Sequence, residues 1–397
     1  MTTEKHEKLW NGGFIYLLIV STANALAFGS INPLIPAFLV DLGASLTVAG
    51  VITAIFSYVA LVGRPFASIL GDRGNKKKLL IIFMIGHGFF TFLYAFAPGI
   101  GWIIPMRIAR GLTFSVSGTI SLALGAEYIP KERMGEGVGF LGIGQILGMA
   151  LGPNIGLGLL GMFNQNHPPL FLISGTVVML AGLAVIFLKY KRPPRPEGEA
   201  RRKFSFKEMV SVELLPITLF TSVFAIGNGL IVSFLVMMSQ ERGIQNFGLY
   251  FIIHSAIVLL IRPFAGRLTD RRGVAAIVLP GYVFAGLAMV TLGMASGFVH
   301  IVFAAIFVAL GSGVALPALQ TECMQRLGPA RRTVAVGTYL IGMDIGMGGG
   351  PLIGGAISDA MGFGATFYFA AGLSLIGFTA YLLYVLRRRK SPNLNFT

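Results

Sequence analysis

The sequence predicts an all-α membrane protein of twelve transmembrane helices, built as two parallel six-helix pseudo-repeats. Three observations carry this. Of the 397 residues, 55% are hydrophobic and only 12% charged, against roughly 25% charged in soluble chains, so a water-facing surface cannot be assembled from this composition. Apolar runs of about 20 residues, each long enough to cross roughly 30 Å of hydrocarbon as a helix, recur along the whole length. Sliding the sequence by 198 positions lays Leu61, Arg64, Pro65, Phe66 and Ala67 on Leu259, Arg262, Pro263, Phe264 and Ala265, and the register needs no gap over some ninety residues.

The runs lie at 13–40, 47–70, 79–97, 102–125, 137–160, 169–188, 213–238, 248–268, 276–296, 300–322, 336–357 and 365–386. The first carries Asn24 and is too long for the apolar part of a signal peptide, so it is expected to stay as an anchor. The second opens into a polar loop, Ser68 to Lys77, that contains Asp72 and Arg73. The fourth holds Arg107 and Arg110 and ends at Glu127. The fifth repeats glycine every four residues at Gly144, Gly148, Gly152 and Gly156, with Pro153 among them; such spacing makes a smooth face for close helix contact, and proline favours a bend. Gln145 and Asn154 stand in the same run. After the sixth, Lys191 to Lys207 is rich in proline and charge and cannot enter lipid. Residues 1–190 are therefore read as one half, 191–212 as a cytoplasmic linker and 213–397 as the second half.

The second half opens with a run carrying Asn228, followed by one carrying His254 and a loop with Asp270 and Arg271. The tenth ends at Glu322. The eleventh repeats the glycine face of the fifth, with Gly342, Gly346, Gly350, Pro351 and Gly354, and holds Asp344 about eight residues deep. Desolvation disfavours the charged form of a carboxyl at that depth, which suits a group that takes up and releases a proton; a lasting ion pair or hydrogen bond to a neighbouring helix is the alternative.

Charge placement gives the orientation. The net charge is +15, yet 26 of the 31 lysines and arginines fall in the termini or in loops after even-numbered runs, and only Arg242 occupies an odd loop. The positive-inside rule then puts both termini and the central linker in the cytoplasm, and the basic excess marks topology rather than a nucleic-acid surface. Cys323, the one cysteine, has no partner for a disulfide, and no metal-ligand spacing, H-E-x-x-H motif or nucleotide-binding loop occurs. An enzyme, a metal site and a bound cofactor are not expected.

The loops at Ser68 to Lys77, SILGDRGNKK, and Gly266 to Gly273, GRLTDRRG, resemble the loop signature of the major facilitator superfamily. The first copy departs from it, with Ser68 for the leading glycine and one residue missing before Gly74. Arg107-Ile-Ala-Arg110-Gly111 is similar to the family's fourth-helix motif, and Gly148 to Gly156 resembles the G-x-x-x-G-P-x-x-G signature of its antiporter branches. The resemblance implies a monomeric secondary transporter in a bacterial inner membrane, with a central cavity lined by the first, fourth, seventh and tenth helices. A proton-coupled exporter of a small organic molecule is the leading expectation, and a uniporter or proton symporter the alternative.

The same resemblance implies a conformational latch at Asp72, Arg73, Asp270 and Arg271, unless these are plain topology charges. Asp344, Glu127 and Glu322 are the candidates for proton coupling. Arg107, Arg110, Asn24, Asn228, Gln145 and His254 are the candidates for substrate binding, although an arginine so near the outer boundary can also snorkel to the surface. Gly148, Gly152, Pro153, Gly156, Gly350 and Pro351 are the expected helix-packing residues. The topology predicts that a reporter fused after Lys203 reads cytoplasmic and one inserted near Asn164 reads external; reversed activities would overturn the helix count.

Overall fold

The computed structural model describes the backbone of residues 9–130, 134–190, 211–327 and 332–390, and no strand occurs among them. The helices are α1 (Gly12–Ile31), α2 (Ile35–Asp41), α3 (Leu46–Arg73), α4 (Lys76–Phe92), α5 (Ile100–Ala126), α6 (Met134–Met162) and α7 (His167–Ala184), then α8 (Leu215–Glu241), α9 (Leu249–Arg272), α10 (Ala275–Gly293), α11 (Phe298–Leu310), α12 (Ser312–Leu327) and α13 (Arg332–Lys390). Every predicted run is helical. The first is α1 and α2 joined by a 3-10 turn, Asn32–Leu34, where Pro33 and Pro36 each lack the N–H that would continue the ladder. The tenth is α11 and α12, broken at Gly311. The last two share α13, which is interrupted at Gly362 with φ 81° and ψ 168°.

Among the described residues nine helical stretches are both long and apolar enough to cross a membrane. The twelve runs are recovered when the two crossings in α13 are counted separately and α5 and α9 are added. α5 carries Arg107 and Arg110, which lower its mean hydropathy, and α9 holds the shorter apolar stretch Leu249–Arg262 among the described residues. Large apolar side chains such as Ile19, Phe187, Leu260 and Phe264 are well exposed, a surface that suits hydrocarbon and not water.

The chain divides into two compact units, Met1–Asn32 with Val59–Arg202, and Pro33–Tyr58 with Lys203–Thr397. In the first, α6 lies on α1 through its glycine face. A Cβ on Gly148 would stand 2.6 Å from the Ala25 carbonyl, and one on Gly152 would stand 2.7 Å from Cα of Gly29, so backbone meets backbone there. The second unit repeats this between α13 and α8: a Cβ on Gly346 would meet the Ser222 carbonyl at 2.5 Å and one on Gly350 the Ile226 carbonyl at 2.6 Å. Without a hydrophobic drive between helices in lipid, such close contact supplies the dispersion that holds them.

The helix ends are closed by side chains. Asn11 caps α1, accepting from the Phe14 N–H at 2.9 Å and donating to the Tyr128 carbonyl at 2.7 Å. Lys77 donates to the carbonyls of Ile186 and Leu188, each at 2.7 Å, closing the turn that follows α7. Arg242, the one basic residue in an odd loop, donates to the carbonyls of Leu292, Gly293 and Ala295 at 3.2, 3.1 and 2.7 Å. It ends α10, where a cation also matches the negative pole of the helix. Its place outside the positive-inside pattern is thus structural.

Gly152→Ala is expected to destabilise the protein by roughly 1–3 kcal/mol, because α1 would have to move aside. Gly158→Ala on the same helix meets nothing within 4 Å and is expected to be neutral or slightly stabilising. Melting of the two purified variants in detergent distinguishes a packing role at Gly152 from a general demand for glycine in α6.

Candidate functional site

Placing an arginine in a membrane helix is costly, by roughly 2.5 kcal/mol or more at the centre, so its surroundings need an account. Arg107 is 1% exposed and Arg110 0%, so neither side chain reaches the protein surface. Their spacing of three puts them on one side of α5, packed against α4. Arg110 Nε donates to Thr91 Oγ1 at 2.9 Å, and that hydroxyl donates in turn to the His87 carbonyl at 2.8 Å. The guanidinium lies 5.5 Å from the ring centre of Phe28 and 5.8 Å from that of Tyr94, close enough for cation–π attraction. Phe28 stacks on Phe114 at 4.6 Å, and His87 lies 5.4 Å from Phe114. The first unit therefore holds two guanidinium groups beside an aromatic wall built from α1, α4 and α5.

Asn24 is one turn before Phe28 on α1, and its side-chain oxygen is buried with no donor among the described residues. Gln145 is exposed on α6, beside the buried Gly144 that packs on Thr22. In the second unit Asn228 accepts from Ser312 Oγ at 2.9 Å and borders a cavity of about 10 Å³ with Met289 and Ser374, which has barely room for one water. His254 is partly buried, its ring parallel to Tyr250 at 6.0 Å. Arg107 and Arg110 are thus brought together on α5, while in the other unit Asn228 and His254 lie beside the adjacent residues Ser312 and Gly313.

The three coupling candidates differ in depth. Glu127 follows the end of α5 and pairs with Lys76, both about a quarter exposed. Glu322, toward the end of α12, pairs with Arg326 and lies 3.6 Å from Arg388. Asp344 is buried in mid-helix, 8% exposed, between Gly342 and Gly346, which pack on α8. One turn further along the same face is Gly348, whose Cβ position meets the Tyr58 ring at 3.1 Å. Of the four latch candidates, the side chains of Asp72, Arg73 and Asp270 lie outside the described residues, and Arg271 is exposed in the last turn of α9.

Sequence reasoning passed over His87, Thr91 and Tyr94. The signal available was a pair of polar residues four apart in an otherwise apolar run, which puts them on one helix face.

A family model for the Major Facilitator Superfamily matches residues 17–225 and 217–397. This chain belongs to that superfamily. Multidrug resistance protein MdtG of Escherichia coli O1:K1 / APEC, a member of similar length, is 25% identical over 403 residues, 97% of each chain. A bacterial homologue of the human lysosomal transporter Spinster, solved inward-facing and unoccupied, superposes with a TM-score of 0.78 at 16% identity, covering 94% of this chain and 96% of its own. The nucleoside transporter NupG gives 0.75 at 14% identity, over 94% and 99%. Both structural likenesses show the superfamily fold. The protein is accordingly a multi-pass membrane transporter and not an enzyme.

Thr91→Val keeps the volume at the site but removes the acceptor of Arg110 Nε. A loss of roughly 1–3 kcal/mol in folding stability is expected, as for a hydrogen bond to a charged group, while Thr91→Ser restores most of it. Equal melting of the Val and Ser variants would show that the bond contributes nothing.

Proposed function

We propose that the protein is a proton-coupled exporter that exchanges protons for a small organic molecule by alternating access. The burial of Asp344 carries this reading. Asp344 is buried in the middle of a glycine-lined helix, one turn from the Gly348 that meets Tyr58, while Glu127 and Glu322 lie near helix ends. A carboxyl there changes its local interactions most when it gains or loses a proton, because little water screens it. The name of the relative, multidrug resistance protein, supports outward movement of a foreign compound. The two glycine faces with Pro153 and Pro351 supply smooth surfaces on which helices can slide and bend.

Arg107, Arg110 and Asn24 are proposed to meet the substrate from the first unit, with Gln145, Asn228 and His254 as further contacts. Asp72, Arg73, Asp270 and Arg271 are proposed as the cytoplasmic latch that the loop signature implies. The distribution of basic residues supports both termini in the cytoplasm of a bacterial inner membrane.

Asp344→Asn keeps size and hydrogen-bonding capacity but cannot titrate. Gradient-driven export in reconstituted vesicles is expected to stop, while counterflow, which exchanges labelled for unlabelled substrate without net proton movement, survives. Uphill export at the wild-type rate would exclude Asp344 as the coupling group. Loss of every transport mode together with loss of folded protein would make it structural instead.

A further inference from the structure

Asp359 sits in the last turn of the first segment of α13, three residues before the break at Gly362. A carboxylate there faces the negative pole of its own helix and is locally unfavourable. Its partners explain the placement. Asp359 Oδ1 accepts from the Leu46 N–H at 2.9 Å, Oδ2 from the Thr47 N–H at 2.7 Å, and Oδ2 also from the Thr47 hydroxyl. These are the first two residues of α3. The third N–H, of Val48, donates to Ser45 Oγ at 3.2 Å. The opening turn of α3 is thus capped partly by its own Ser45 and partly by a carboxylate more than three hundred residues away in the chain.

The same surface is packed without slack. A Cβ on Gly50 would stand 2.0 Å from the Pro351 carbonyl oxygen, and one on Gly355 would stand 2.4 Å from the Leu46 carbonyl oxygen. Leu46 packs against the core cluster that contains Phe234, Phe363 and Phe367. Residues 33–58 accordingly belong to the compact unit formed with 203–397, although the rest of the first two crossings belongs to the other unit. α3 is thus divided after Tyr58, and Asp359 fastens the end that belongs with 203–397.

We infer that Asp359 is a releasable latch on the outer side, which holds the start of α3 on the second unit in this state and lets go of Leu46 and Thr47 when the transporter opens outward. The contact is suited to release. It consists of hydrogen bonds from exposed donors to an exposed carboxylate, which water replaces at small cost, and of glycine surfaces that part without untangling side chains. The inference rests on the alternating-access reading but on neither the coupling ion nor the substrate.

Two measurements test it. Spin labels at Val48→Cys and Met361→Cys, both exposed positions, report the separation of α3 from α13 in nanodiscs, with buried Cys323 replaced by alanine. Asp359→Asn keeps the shape but loses the charge, and is expected to enlarge the long-distance population about fivefold, the factor that one lost capping interaction makes in a two-state equilibrium. The second variant, Thr47→Cys with Asp359→Cys, is expected to lose transport on oxidation and regain it on reduction. Unchanged distances in Asp359→Asn, with transport still blocked by the disulfide, would reduce Asp359 to a helix cap and leave alternating access standing. Full transport by the oxidised pair would show that this surface never opens, and would overturn the latch together with alternating access at α3.

Discussion

Everything in this molecule depends on helices touching where neither has a side chain. In water a core forms because apolar groups leave the solvent; in lipid that drive is absent, and attraction between helices comes from contact area. Glycine turns contact area into a question of backbone distance. At Gly152 on α6 and Gly29 on α1, and again at Gly350 on α13, no other residue fits without moving a helix. The glycines of α6 and α13 keep the 198-residue offset, Gly148 with Gly346 and Gly152 with Gly350, so one packing face serves the protein twice.

Polar groups are distributed according to what lipid allows. Some sit where a helix ends and its free N–H or C=O groups need partners, as Asn11, Lys77, Arg242 and Asp359 do. Buried hydroxyls such as Thr218, Thr221 and Ser222 donate to a carbonyl of their own helix one turn back. Ionisable side chains buried in mid-span, Arg107, Arg110 and Asp344 above all, are the costly ones, and there no helix end accounts for the cost.

Much of the fold was legible because length and hydropathy act locally: all twelve runs are helical, and the glycine faces are visible as a four-residue rhythm. Arg242 was legible as an anomaly, the one cation on the wrong side, although its target could not be read from spacing. The site was less legible. Glu127 and Glu322 look like Asp344 in sequence, acids at or in an apolar run; only three-dimensional placement supplies Lys76 and Arg326 as their partners. Asp359 gave no local signal, since the donors it accepts from lie on α3. Thr91 and Arg110 are 19 residues apart on different helices, so their bond likewise depends on how α4 and α5 lie together.

The break at Gly362 has a consequence for biosynthesis. The chain turns back there within a single non-helical residue, and Ser358 and Thr366 already share a hydrogen bond at 2.7 Å across the turn while Thr366 also reaches the Gly354 carbonyl. With so short a connection the two apolar stretches are synthesised one directly after the other, and their first tertiary contact, Ser358 with Thr366, needs no other helix to be in place.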